Sequence, residues 1–267
     1  MINNNVPDIP STLFTTFNNV KYYDEPHKYY VNGKQLTSVT TLIHKYETEF
    51  DEEFFSDKIS NKYNIPQNEV KYAWKFINRR ATEKGSIIHD YAEMLFLNKI
   101  FPYPKDRVIK FFNQDVVKEE YEKTKKHVDA FYKKVNDILI PIRTEFVVYD
   151  IEYLIGGMVD LLFYNKKSKM FEIWDWKTNK YFTFSSERGY NFLGKLSLLE
   201  LCDLEIYSLQ LSAYKYIIEK YCNIKLGQSH LVWLSHLNES YEVIKTIDRE
   251  YYVKEMFEDS KIQSILI

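Results

Sequence analysis

The stretch that decides the fold runs Gly156-Gly157-Met158-Val159-Asp160-Leu161-Leu162-Phe163-Tyr164, then Asn165-Lys166-Lys167-Ser168-Lys169, then Met170-Phe171-Glu172-Ile173-Trp174-Asp175-Trp176-Lys177. Two runs rich in Val, Ile, Leu, Phe and Trp flank a short polar segment, the pattern of an antiparallel hairpin. Pairing Asn165 with Met170 sets a register in which Asp160 lies opposite Asp175. Cross-strand partners hold their Cβ atoms about 4.5–5.5 Å apart, and like charges there are destabilising, so a cation is expected between them. Side chains alternate along a strand, which puts Asp175 and Lys177 on one face and Trp176 on the other.

Two carboxylates and an amine at one spot suit metal-assisted hydrolysis of a phosphodiester. Carboxylate oxygens hold Mg²⁺ or Mn²⁺, the metal activates water, and the ammonium orients that water or offsets developing charge. The acid-x-Lys spacing itself is common: Glu69-Val70-Lys71 and Asp259-Ser260-Lys261 share it in helical settings. The apolar strand and the opposing Asp160 give Asp175-x-Lys177 its weight.

Working outward, Asn32-Gly33 between Tyr29-Tyr30-Val31 and Lys34-Gln35-Leu36 predicts a tight hairpin, and Ser38 or Thr37 caps a short helix through Ile43. Residues 51–98 read as two or three helices interrupted at Pro66. Residues 105–138 read as a highly charged helix, either a solvated face or one facing nucleic acid. After Pro141, Glu145–Tyr149, Leu154–Tyr164 and Met170–Thr178 read as consecutive antiparallel strands. A long connection over 181–200 follows, then a helix over Leu204–Tyr221, strands at His230–Leu237 and Tyr241–Ile247, and a last helix from Asp248. In the connection, Tyr181, Phe182 and Phe184 beside Lys180 and Arg188 read as base-stacking groups or as core.

The chain has 267 residues, 45% hydrophobic, with only 7 Gly and 7 Pro, which excludes collagen-like and low-complexity classes and supports a sizeable core. A formal charge of −2 means that a polyanion must be held by a local basic surface or through cations. Cys202 and Cys222 have no metal-site spacing, and Met1–Pro10 carries no apolar run, so a reducing, cytoplasmic or other intracellular setting without membrane contact is expected.

The segments Gly156-Gly157-Met158-Val159-Asp160 and Glu172-Ile173-Trp174-Asp175-Trp176-Lys177 resemble the core of the PD-(D/E)xK nuclease superfamily, and within it the RecB-type nucleases. Two further motifs extend the resemblance over residues 84–215: Gly85-Ser86-Ile87-Ile88-His89 upstream, and Gln210-Leu211-Ser212-Ala213-Tyr214 downstream. The opening His27-Lys28-Tyr29-Tyr30-Val31-Asn32-Gly33 and Thr37-Ser38-Val39-Thr40 is similar to the leader of phage-encoded and mitochondrial genome-maintenance exonucleases.

The resemblance implies an α/β fold, a restriction-endonuclease-like core with a mixed central β-sheet flanked by helices. One nuclease domain would span 1–267, with hairpin and helical elaboration over 1–83, catalytic core over 84–247 and a C-terminal helix over 248–267. It implies a Mg²⁺- or Mn²⁺-dependent deoxyribonuclease, an exonuclease acting on DNA ends or single strands. Asp160 and Asp175 would hold the metal with His89, Lys177 would complete the catalytic set, and Gln210 and Tyr214 would guide the strand. Glu145 is a second acidic candidate, and Glu93, one turn after His89, either orients it or is structural. The cysteines of cluster-bearing relatives are missing, so no iron–sulfur cluster is expected; a recombination or replication protein is the expected partner, in a host cytoplasm for a phage-encoded chain. The rival reading keeps the fold as an inert nucleic-acid-binding or assembly protein. The helices before the core are large enough to restrict entry to threaded ends.

Overall fold

The computed structural model describes residues 8–23, 28–97, 115–186 and 189–265. Its strands are β1 (Val20–Tyr23), β2 (Lys28–Val31), β3 (Lys34–Ser38), β4 (Leu139–Asp150), β5 (Ile155–Asn165), β6 (Met170–Lys177), β7 (His230–Trp233) and β8 (Glu242–Lys245). The helices are α1 (Thr12–Thr15), α2 (Val39–His44), α3 (Glu52–Tyr63), α4 (Gln67–Leu97), α5 (Asp115–Val135), α6 (Asp203–Cys222) and α7 (Glu250–Ile265). Residues 105–114 of the charged segment, His27, Asn98 and Arg188 lie outside the described residues.

Local chemistry accounts for several boundaries. Asn32 (φ 51°) and Gly33 (φ 79°) adopt the two left-handed positions of the β2–β3 turn, where Val31 pairs with Lys34. Ser38 caps α2 by accepting from Thr41 N at 3.0 Å, and Asp51 caps α3 by accepting from Phe54 N at 2.8 Å. Asn64, left-handed at φ 53°, ends α3 just before Pro66.

The strands form one mixed eight-stranded sheet, so the general α/β class holds. The β5–β6 ladder runs from Asn165↔Met170 to Leu161↔Trp174, the register read from the sequence. β4 is longer than Glu145–Tyr149 because the chain pairs from Leu139 onward, absorbing Pro141 through a register shift between Pro141 and Arg143. β3 joins β5 in parallel at Thr37↔Ile155 and Ser38↔Gly156, and β7 joins β6 in parallel. The last two strands are shorter than the sequence suggests, ending at Trp233 and Lys245.

Strand β5 has two edges, and β4 covers one of them from Ile155 to Asn165. β3 and β6 share the other, β3 at residues 155–156 and β6 at 161–165. The sheet therefore forks along Gly157–Asp160. Two apolar cores cover its faces. One gathers Ile87, Ile88 and Phe96 of α4 with Val128 and Phe131 of α5 against Leu161, Phe163, Trp174 and Trp176. The other packs Leu209, Ala213, Ile217 and Ile218 of α6 and Leu42 and Ile43 of α2 against Val148, Leu162 and Ile173. Burial on this scale, at roughly 25 cal/mol per Å² of apolar area, fixes both helical layers relative to the fork.

Candidate active site

The fork aligns three acids from three neighbouring strands. Thr144↔Leu161 and Phe146↔Val159 place Glu145 opposite Asp160. Asp160 lies one step past the last β5–β6 pair, opposite Asp175 in the same register. There its side chain replaces the ladder: Asp160 Oδ2 accepts from Trp176 N at 2.9 Å. Glu145 has φ 43°, a left-handed conformation that costs a non-glycine residue about 1–3 kcal/mol and that concentrates at functional sites.

The helical layers contribute from opposite sides. The core on Ile87 and Ile88 holds the next residue of α4, His89, over the fork, and Gly85 of the same helix stands beside Thr178. Glu93 accepts from Thr144 Oγ1 at 2.8 Å and so ties α4 to the strand residue before Glu145. His89 Nδ1 lies 3.4 Å from Asp160 Oδ2 and 3.8 Å from Glu145 Oε1. One ligand atom from each of His89, Glu145 and Asp160 falls within 4.8 Å of the others.

Lys177 organises the second half of the site. Its Nζ lies 2.7 Å from Asp175 Oδ2, donates to Gln210 Oε1 at 3.3 Å, and stands 4.2 Å over the Tyr207 ring. Gln210 Nε2 donates in turn to Tyr214 Oη at 3.1 Å. Gln210 and Tyr214 are 7% and 3% exposed, so the pair holds Lys177 from behind and does not face solvent. Gly157 makes room for this relay, since a Cβ there would come within 2.6 Å of Tyr214 Cε1. Gly156 is equally confined, by Leu36 and by the carbonyl of Val148.

The electrostatics are those of crowded, buried acids. Burial pushes Asp175 up to about 6, with Asp160 adding to the rise and Lys177 only partly offsetting it. Burial also raises Asp160, against the pull of His89. Burial pulls His89 down, but Asp160 and Glu145 outweigh it and hold the imidazole up at about 9. Lys177 is likewise kept charged, the attraction of Asp175 and Tyr207 exceeding the cost of burial.

The residues fit a hard divalent cation. An imidazole and two carboxylates converge within ligand reach, and three carboxylates face two cationic groups. Asp175 Oδ2 is buried without a hydrogen bond of good geometry, although Lys177 is at ion-pair distance. Within the cluster Glu145 stands beside His89, whereas Asp175 is turned to Lys177.

Sequence reasoning missed two groups. Tyr207, three residues before Gln210 on α6, supports Lys177, and helical spacing was the signal that could have found it. Tyr29 of β2, inside the opening stretch that resembles an exonuclease leader but given no site role there, is buried and pushed up to about 12 by burial, then by Glu145 and Asp160. The aromatic connection divides: Phe182 packs against Tyr207 and Trp233 in the core, while Tyr181 and Phe184 are exposed. Among the described residues no helix is long and apolar enough to cross a membrane.

No family model matches the chain, and no curated protein matches it. Among solved structures it is similar to the crystal structure of SSO0001, at 13% identity over 88% of this chain and 78% of that chain, with a TM-score of 0.31. A likeness that weak carries no argument, and the site stands on its own geometry.

Proposed function

We propose that this chain is a divalent-metal-dependent nuclease with a restriction-endonuclease-like PD-(D/E)xK core, hydrolysing DNA phosphodiester bonds as an exonuclease at ends or on single strands. The observation that carries the reading is the convergence of His89, Glu145 and Asp160 within 4.8 Å, beside the Lys177–Asp175 pair, at a fork in the sheet. Mg²⁺ or Mn²⁺ bound there would polarise the phosphoryl oxygen and lower the pKa of a bound water.

The chain's own residues supply the rest. His89 would hold the cation through a deprotonated imidazole nitrogen, a ligand that favours Mn²⁺ over Mg²⁺. Lys177 stays an ammonium, so it serves as a fixed positive charge for the phosphoryl oxygens and not as a base. Asp175, Gln210 and Tyr207 hold that ammonium in place, which spares the reaction the reorganisation that water would require. A formal charge of −2 gives no broad attraction to duplex DNA, which favours unpaired strands held on a narrow track.

End-labelled linear and closed circular DNA, single- and double-stranded, incubated with Mg²⁺, Mn²⁺ or EDTA, tests this reading. Linear single strands are expected to be degraded with either metal, and closed circles to survive. Rapid cutting of the circles would overturn the end-dependent reading. Binding with no cleavage under any metal would leave the inert nucleic-acid-binding alternative.

A further inference from the structure

A second site adjoins the first. Beyond Lys177 the chain continues as Thr178-Asn179-Lys180, and neighbouring groups pin its backbone: Trp233 Nε1 donates to Asn179 O at 2.8 Å and Ser235 Oγ to Lys180 O at 2.8 Å. Between this segment, α4 and α5 lies a cleft of about 490 Å³, lined among others by Arg80, Lys84, Glu120, Thr178, Lys180 and His236.

Its charge is unbalanced. Glu120 is the carboxylate in the lining, and two cations share it, Arg80 at 3.4 Å and Lys84 at 3.7 Å, with the neutral His236 at 3.6 Å. Lys84 is only 7% exposed, and its ammonium lies beyond hydrogen-bond distance of Glu120. His236 Nδ1 is buried with no hydrogen-bond partner among the described residues. Lys180 and Lys123 add positive charge close enough to act on His236, and Lys180 also acts on Lys84. Burying an ammonium at this cost without full compensation is the mark of a place prepared for an anion.

We propose that this cleft binds a phosphate group of the strand being cut, adjacent to the scissile one. The inference rests on the nucleic-acid reading above and deepens it by naming the contact that positions the strand. Thr178, which lines the cleft, directly follows Lys177, so the cleft opens beside the fork. Arg80 supplies a planar fork of donors and Lys84 a point charge, while Thr178 offers a hydroxyl. The volume accommodates a phosphate with its ester substituents.

Fluorescence anisotropy of a short labelled single strand, in EDTA so that no cutting intervenes, tests the assignment. The strands carry a 5′-phosphate, a 3′-phosphate or hydroxyls at both ends. Arg80→Gln and Lys84→Gln are each expected to weaken binding about tenfold and to reduce the salt slope by about one. Glu120→Gln is expected to tighten it. A loss confined to one phosphorylated end assigns the cleft to a terminal phosphate; an equal loss on all three strands assigns it to an internal phosphodiester. Wild-type affinity in both folded variants, or no binding by the wild type, overturns the proposal. If Lys84→Gln does not fold, as circular dichroism would show, the half-exposed Arg80 decides alone. Failure of the wild type to cleave would remove the nuclease reading and leave this comparison of binding intact.

Discussion

The fork and the cleft are neighbours of opposite charge, and they are built by different means. The fork sets Glu145, Asp160 and Asp175 against His89 and Lys177. The cleft sets Arg80, Lys84 and Lys180 against Glu120. In the fork, strand register puts like charges side by side, and Asp160 also takes a ladder bond from Trp176 N. The cleft depends on a helix, a second helix and a loop staying packed, and its groups come from four separate stretches of chain. An acid-rich centre next to a base-rich cleft is the arrangement that a metal and a polyanion jointly require.

The largest expected effect is on the fork. Asp160→Ala, Asp175→Ala and Lys177→Ala should each lower cleavage by at least about 10²–10³-fold, the usual loss on removing a preorganised charge. Asp160→Asn, which keeps an acceptor for Trp176 N while removing one of two like charges with raised pKa values, should leave the cation-free melting temperature equal or higher. Single-turnover rates and thermal melts in EDTA check both halves. A comparable stability gain on removing Lys177 would break the contrast, since that residue compensates Asp175.

Next is Glu145→Gln, which should weaken Mn²⁺ binding about 10–100-fold by calorimetry if Glu145 belongs to the ligand set. Unchanged affinity would confine the set to His89 and the aspartates. Gly157→Ala should destabilise by about 1–3 kcal/mol, because the added methyl meets the Tyr214 ring. Combined with Tyr214→Ala the cost should be less than additive, read from urea midpoints.

A pH slope follows from the same groups. In the cation-free chain the native state holds extra protons on Asp175, raised from 3.8 to about 6, and on His89, raised from 6.5 to about 9. The contribution of these two groups to stability should therefore be highest in acid. It should fall as pH rises, first through Asp175 between 3.8 and about 6, then through His89 between 6.5 and about 9. Saturating Mn²⁺ should abolish the second fall, because His89 is then bound without its proton. Urea midpoints across this range, with EDTA and with Mn²⁺, measure it.

The contrast also explains what the sequence made legible. Asp160 and Asp175 could be set opposite each other because hairpin register follows from a single turn, and Asn165↔Met170 is indeed that turn. Glu145 was legible by the same count, because Asp150↔Ile155 closes a turn over residues 151–154 and the register runs unbroken past Phe146↔Val159, the shift near Pro141 lying beyond it. Gln210 and Tyr214 were visible as a helical pair, but their direction, inward to Lys177, depends on how α6 packs against Gly157. The cleft left no local signal: Arg80, Lys84, Glu120 and His236 are ordinary residues until tertiary packing brings them together.

The most direct measurement is a single-turnover time course on end-labelled linear single-stranded DNA with Mn²⁺, comparing wild type with Asp160→Asn. Asn is isosteric with Asp and keeps an oxygen to accept from Trp176 N, so the fork's backbone is retained while its charge is lost. Cleavage by the wild type that EDTA stops, and that Asp160→Asn lowers at least about a hundredfold, is the expected result. A wild type that leaves the strand intact with Mn²⁺, or an Asp160→Asn protein that cuts at the wild-type rate, would contradict the assignment of the fork as a metal-dependent nuclease centre.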